Sequence, residues 1–186
     1  MFEGWGEYYL LVGTAAAALI GLLFVVMSLL AGRDRQQIEA GSRFYMTPIV
    51  FDLGAIVVLS GAALAPIGLG AIGWITVVVG LVSIVMDVRI SFGIGQLDVA
   101  SDNRTFDTAW YGVVPTIVSA LLVGAGAGIL LDHEWAAISL AGVLMALLLV
   151  CIHNAWDLVT YITPQAGPAA EETRTKAKAK ARARRR

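Results

Sequence analysis

Five long stretches of this chain carry almost no polar residues, and none repeats its polar positions at the 3.6-residue period of a helix with one wet face. They run roughly over 8–31, 45–65, 69–88, 109–131 and 135–162. Each meets the length of about 20 apolar residues that a helix needs to cross a hydrocarbon layer about 30 Å thick. The first, YYLLVGTAAAALIGLLFVVMSLLAG, is apolar around its whole circumference. A soluble bundle would show a polar stripe there, and a membrane β-barrel would show alternation over about ten positions. Backbone groups in lipid must be satisfied within their own segment. The pattern therefore predicts an all-α fold, a polytopic membrane helical bundle of five transmembrane helices over residues 1–163, followed by a tail over 164–186. The first run lacks the basic flank and small-residue cleavage site of a secretory signal and reads as a retained span.

The breaks between the runs set the topology. The link APIGLG is so short that the second and third helices must be antiparallel neighbours. GRDRQQIEAGSRF is polar enough to lie at the headgroups or to continue a helix beyond them, SDNR is a turn or capping signal, and DHEW joins the last two spans.

Composition agrees with the pattern, at 58% hydrophobic and 15% charged residues with a mean hydropathy of +0.78. Charge adds an orientation that the net value of -1 conceals. All 13 Lys and Arg fall on one side: Arg33, Arg35 and Arg43 after the first span, Arg89 and Arg104 after the third, and the remainder after the fifth. The other side carries Glu3, Glu7, Asp132 and Glu134. The positive-inside rule then predicts the N-terminus outside and the C-terminus cytoplasmic. Trp5, Tyr8 and Tyr9 outside, with Trp110, Tyr111, Trp156 and Tyr161 inside, suit the interfacial aromatic belts.

The tail, PQAGPAAEETRTKAKAKARARRR, has no aliphatic residue larger than Ala and reads as disordered. Arg174, Lys176, Lys178, Lys180, Arg182, Arg184, Arg185 and Arg186 make it polybasic. Their every-second-residue spacing would spread them around a helix, so an amphipathic membrane helix fits poorly. A solvated topology determinant and a ligand for anionic lipid headgroups are the two readings it allows. Nucleic acid is disfavoured, because no stacking aromatic interleaves with the charges.

Two spans place small residues at every fourth position. Gly13, Ala17 and Gly21 form one ridge, and Gly112, Thr116, Ala120, Gly124 and Gly128 form another. Such ridges let helices approach closely in lipid, inside the protomer or against a second copy or another membrane protein.

Ionisable residues gather near the predicted cytoplasmic boundary. His153, Asn154 and Asp157 share one face of the fifth span through spacings of three and four. Asp52 lies inside the second span, where a carboxylate exposed to lipid costs at least about 2.5 kcal/mol, so it should face the interior and find a partner or take up a proton. Arg89, His153 and Asn154 are its candidate partners, and together with Asp157 they would make a polar pocket open to the cytoplasm. Asp87, Asp107 and Asp157 also read as ordinary interfacial charges. Cys151 reads as a small buried hydrophobe, and its solitude excludes an intramolecular disulfide. His153 and Asp157 supply too few ligands for zinc. No metal, cofactor or catalytic residue is predicted, for no metalloprotease, phosphate-loop or nucleophile-elbow motif occurs.

The segments GTAAAALIGLLFVVMSL and HNAWDLVTYI resemble an uncharacterised family of small bacterial five-span inner-membrane proteins with a closing NAWDLVT-like motif. The likeness covers most of residues 1–162 and excludes the tail. It implies a bacterial inner-membrane protein and no particular chemistry. Asn154, Trp156 and Asp157 belong to the motif, in which an arginine usually precedes the asparagine; this chain has His153 there. The expected function is a non-enzymatic accessory or interaction subunit of a bacterial cytoplasmic membrane. The alternative is an oligomeric channel or transporter for protons, ions or small solutes that uses Asp52, and a membrane-embedded enzyme ranks third.

Overall fold

The computed structural model describes residues 2–30, 35–96 and 113–165, with side chains over 2–28, 47–89 and 113–157. Five helices account for nearly all of them, and there is no strand among the described residues. They are α1 (Gly6–Leu30), α2 (Arg35–Leu64), α3 (Leu69–Gln96), α4 (Val114–Leu130) and α5 (Ala136–Gln165). Four of these, α1, α2, α3 and α5, contain segments long and apolar enough to cross a membrane. The described part of α4 is equally apolar but 17 residues long.

Three helix ends run past the hydropathy boundaries. α2 begins at Arg35 rather than near 45, and α3 continues to Gln96 rather than stopping near 88. Polar residues are compatible with a helix once it leaves the apolar layer, so hydropathy marks the crossing and not the helix. α5 likewise continues to Gln165, two residues past the expected start of the tail. The rest of the tail, with its eight basic residues, lies outside the described residues, as do Gly112 and Asp107.

Two turns join antiparallel neighbours. Ala65–Gly68 connects α2 to α3, and Leu131–Trp135 connects α4 to α5. In the second turn Asp132 adopts a left-handed φ of 56°, and the His133 N–H donates to the Gly128 carbonyl at 3.0 Å. This six-to-one bond closes α4 as glycine usually does.

α2 and α5 form the centre. α2 touches α1, α3 and α5, and α5 touches α1, α2 and α4. The wholly buried residues Leu53, Ile56 and Leu59 of α2 and Leu140, Leu144 and Leu147 of α5 supply the middle of the core. Their spacings of three and four put them on one face of each helix. Around this centre the outer faces of the helices are apolar, with Leu10, Leu11, Leu22, Phe24, Trp74, Val78, Ile117, Leu121 and Ile138 among the exposed side chains. A water-soluble monomer does not carry so much contiguous apolar surface, whereas a lipid-facing one does.

Two tyrosines lock the start of α1 to α5. The Tyr9 hydroxyl, wholly buried, donates to the Ala137 carbonyl at 2.9 Å, and that of Tyr8 donates to the Ala141 carbonyl at 2.8 Å. Phe2 packs edge-on against Tyr9, and Trp5 against Tyr8, with ring centroids 5.7 Å and 5.8 Å apart. Tyr9 is therefore a core residue and not the belt residue that its position near a span end suggested. Tyr9→Phe is expected to destabilise the bundle by about 1 kcal/mol, the net worth of one buried hydrogen bond. Thermal unfolding in detergent measures it.

The closest helix pair is α3 with α4. A Cβ placed on Gly126 would stand 2.9 Å from the Val77 backbone nitrogen, and one on Gly80 would stand 3.1 Å from the Val123 backbone nitrogen. Of the two predicted ridges, Gly13 makes an approach of this kind, with a Cβ there 2.8 Å from Ser60 Cβ. Gly128 is filled by Trp135 and Ala136 of the following turn and helix. Ala17, Gly21, Ala120 and Gly124 are exposed on the outside of the bundle, so these ridge positions do not pack within the protomer. The face of α4 that meets α3 is Ser119, Val123, Gly126 and Leu130, rotated from the predicted ridge.

Candidate functional site

Most of the buried polar residues collect at one end of the bundle. The pairing of Gly6 with Leu64, Gly73 with Leu130 and Tyr9 with Ala137 places residues 6, 64, 69, 130 and 136 at the same end. The opposite end therefore holds residues 28, 47, 89, 113 and 157. Asp52 of α2, Ser83 and Asp87 of α3, Ser119 of α4, and Cys151 and Asn154 of α5 are all buried in that half.

Asp52 is 5% exposed and sits about 7 Å along α2 from Thr47, by helical rise. Ile49, Leu53 and Ile56 bury the same face of the helix, which is why the carboxyl points inward. Asp87 is 2% exposed, and its Oδ2 accepts a hydrogen bond from Ser119 Oγ at 2.8 Å. The two acids are near enough for the charge of Asp87 to act on Asp52, and both act on the Cys151 sulfur. Three helices thus converge on a pair of carboxyl groups, and α4 contributes a hydroxyl donor to one of them.

Asp87 is the residue that sequence reasoning undervalued. A signal was present in α3, where Gly73, Thr76, Gly80, Ser83 and Asp87 recur at alternating spacings of three and four. That period marks one helix face, and all five are buried. Thr76 satisfies its own hydroxyl by donating to the Ile72 carbonyl at 2.8 Å.

The other candidates separate into two groups. Asn154 is buried, 7% exposed, on the face of α5 that carries Cys151 one turn earlier. His153 and Asp157 lie away from the interior, with side chains 42% and 38% exposed, and pair with each other at 3.3 Å from Nε2 to Oδ2. Arg89 is exposed, and no ion pair joins it to Asp52 among the described residues. Two positions separate Arg89 from Asp87, and this turns it about 200° around α3, to the outer surface. Asp52 itself has neither a hydrogen bond nor an ion pair among the described residues.

Asp52, Ser83, Asp87, Ser119 and Asn154 offer oxygen ligands, and the Cys151 thiol is buried among them. No group of three or more His, Cys, Asp or Glu residues is placed to hold a metal ion among the described residues. Ser83 Oγ and Asn154 Oδ1 are buried without a hydrogen-bond partner among the described residues. The arrangement can exchange protons or hold a small cation.

No protein-family model, no curated protein and no solved structure matches this chain.

Proposed function

We propose that this chain is a five-span integral protein of a bacterial cytoplasmic membrane that passes protons or small cations by way of Asp52. One observation carries the proposal: Asp52 is buried beside a second carboxyl group, with no basic side chain buried near it among the described residues. A pocket that locks helices by an ion pair needs a counter-charge, and the exposed Arg89 does not provide it. Ionisable groups retained inside a membrane at such cost mark pathways and relays more often than scaffolds. The N-terminus is outside and the acid pair faces the cytoplasmic leaflet, a reading supported by the one-sided Lys and Arg. α4 brings the spans to five, as the fourth in order, since the sequence before it, AWYG, continues its apolar run. Bacterial origin is supported by the likeness of the opening and closing motifs to small inner-membrane proteins.

Proteoliposomes subjected to a pH or cation jump test the function. Flux through the parent protein that Asp52→Asn abolishes is the expected result. Absence of flux for any ion or solute from correctly folded parent protein would overturn it. Reporter fusions in the links carrying Arg33 and Arg104 are expected to report a cytoplasmic location, and a periplasmic one would reverse the topology.

A second reading, an accessory subunit docked on another membrane protein or on a second copy, is favoured by the outward-facing Ala17, Gly21, Ala120 and Gly124. A stable partner in mild-detergent pull-down, with no flux, is the result that would select it. In either reading the basic tail adds attraction to anionic headgroups, about 1 kcal/mol per basic residue near the surface. Removal of residues 166–186 is expected to weaken retention on anionic vesicles, measured by flotation.

A further inference from the structure

We infer that Asp52, Asp87, Ser83 and Asn154 form a binding site for a small alkali cation of the sodium type, stripped of most of its water. The inference rests on the carboxyl pair of the proposed function and names the ligand that the pair takes.

Two unsatisfied oxygens carry it. Ser83 is wholly buried and precedes Asp87 by one helical turn on the same face of α3. Asn154 is 7% exposed and follows Cys151 by one turn of α5, while the Cys151 sulfur lies within the influence of both carboxyl groups. Ser83 Oγ and Asn154 Oδ1 have no hydrogen-bond partner among the described residues. A third such oxygen, Ser60 Oγ, belongs elsewhere, about 12 Å along α2 from Asp52 and against Gly13. Buried polar atoms in native structures are nearly always paired, so orphaned oxygens on the helix faces that carry Asp87 and Cys151 need an explanation.

All four side chains present oxygen lone pairs that a cation can take. Ser119 already gives its proton to Asp87 Oδ2. A proton on one carboxyl can satisfy one acceptor, whereas a cation placed among the four side chains satisfies several together. The donor set is oxygen and hence hard, which excludes soft metals. Among hard cations, Mg²⁺ sheds water reluctantly, and Ca²⁺, which takes about 6 to 8 oxygens, would need every oxygen of these side chains at once, including the Asp87 Oδ2 that already accepts from Ser119. One alkali cation together with one proton neutralises two carboxylates. That balance suits an interior that tolerates no net charge.

Equilibrium binding of radiolabelled sodium to the full-length protein in detergent tests the site. Saturable binding at one ion per protomer, displaced by lithium, is expected, together with a rise in thermal stability as sodium is added. Asn154→Leu and Ser83→Ala should each weaken sodium affinity about tenfold or more, the effect of losing a buried ligand oxygen worth a hydrogen bond to a charged group. Ser83→Ala removes only a hydroxyl and keeps the test meaningful if Asn154→Leu fails to fold. The inference is overturned if the parent protein shows no saturable sodium binding, if Ser83→Ala binds as the parent does, or if Mg²⁺ displaces sodium at lower concentration. Proton flux lost in Asp52→Asn without sodium binding would remove the cation site and spare the conduit. Sodium binding without any flux would do the reverse.

Discussion

Asp52→Asn is expected to leave the bundle at least as stable as the parent while abolishing its flux. The two effects separate function from scaffold. Removing one partner of a buried ion pair typically costs about 3 to 5 kcal/mol, because the other charge is left behind. Asp52 has no such partner among the described residues; its charged neighbour is another carboxyl. In sodium-free buffer, a neutral side chain of nearly the same shape removes a desolvation cost and a like-charge repulsion and leaves no opposite charge unpaired. Thermal unfolding in detergent, read beside proteoliposome flux, supplies both measurements. Loss of about 3 kcal/mol or more would identify Asp52 as a structural counter-ion and end the conduit reading. Arg89→Gln provides the control. Because Arg89 lies on the outer surface, this change is expected to stay within about 0.5 kcal/mol of the parent.

Gly126→Leu is expected to be the most damaging substitution in the bundle, costing about 3 kcal/mol or more. A Cβ at Gly126 would lie 2.8 Å from Val77 Cγ2, 2.9 Å from Val77 N and 3.1 Å from the Gly73 carbonyl oxygen. Two of these atoms are backbone, which cannot rotate aside. α3 and α4 would have to separate, and that separation also pulls Ser119 from Asp87, whose hydrogen bond is 2.8 Å long. Gly124, two positions away, is the contrasting site, since nothing lies within 4 Å of a Cβ there. Gly124→Leu should therefore change stability by no more than about 0.5 kcal/mol. Denaturant titration of both variants decides the matter. Equal damage at the two positions would show that α4 presents a different face to α3.

The gap between these two glycines shows where sequence reasoning runs out. Small residues crowd α4, with Gly124, Gly126 and Gly128 in alternation, so several ridges at four-residue spacing can be drawn through it. Each is compatible with close packing. The partner helix selects one, and Gly73 and Gly80 on α3 select the face of Gly126. The same uncertainty of rotation affected the acids. Asp87 and Arg89 end one span and look alike as interfacial charges, yet the rotation of α3 buries the first and exposes the second. Tyr9 sits where belt aromatics sit, and only its bond to Ala137 makes it a core residue.

By itself, the sequence determined the class of the molecule: helical, apolar over span-length runs, with short antiparallel turns. Those properties follow from the requirement that each backbone group be satisfied within its own segment, which is local and needs no neighbour. It also singled out Asp52, since a carboxyl within an apolar run must turn inward whatever surrounds it. Tertiary structure alone decided which charge acts on Asp52, that of Asp87, where Arg89, His153 and Asn154 were its candidate partners. The physical reason is that helices which are apolar all round carry no stripe to announce their orientation. Their rotation is set by the close approach of small residues on two helices at once, a property of the pair that neither segment holds alone.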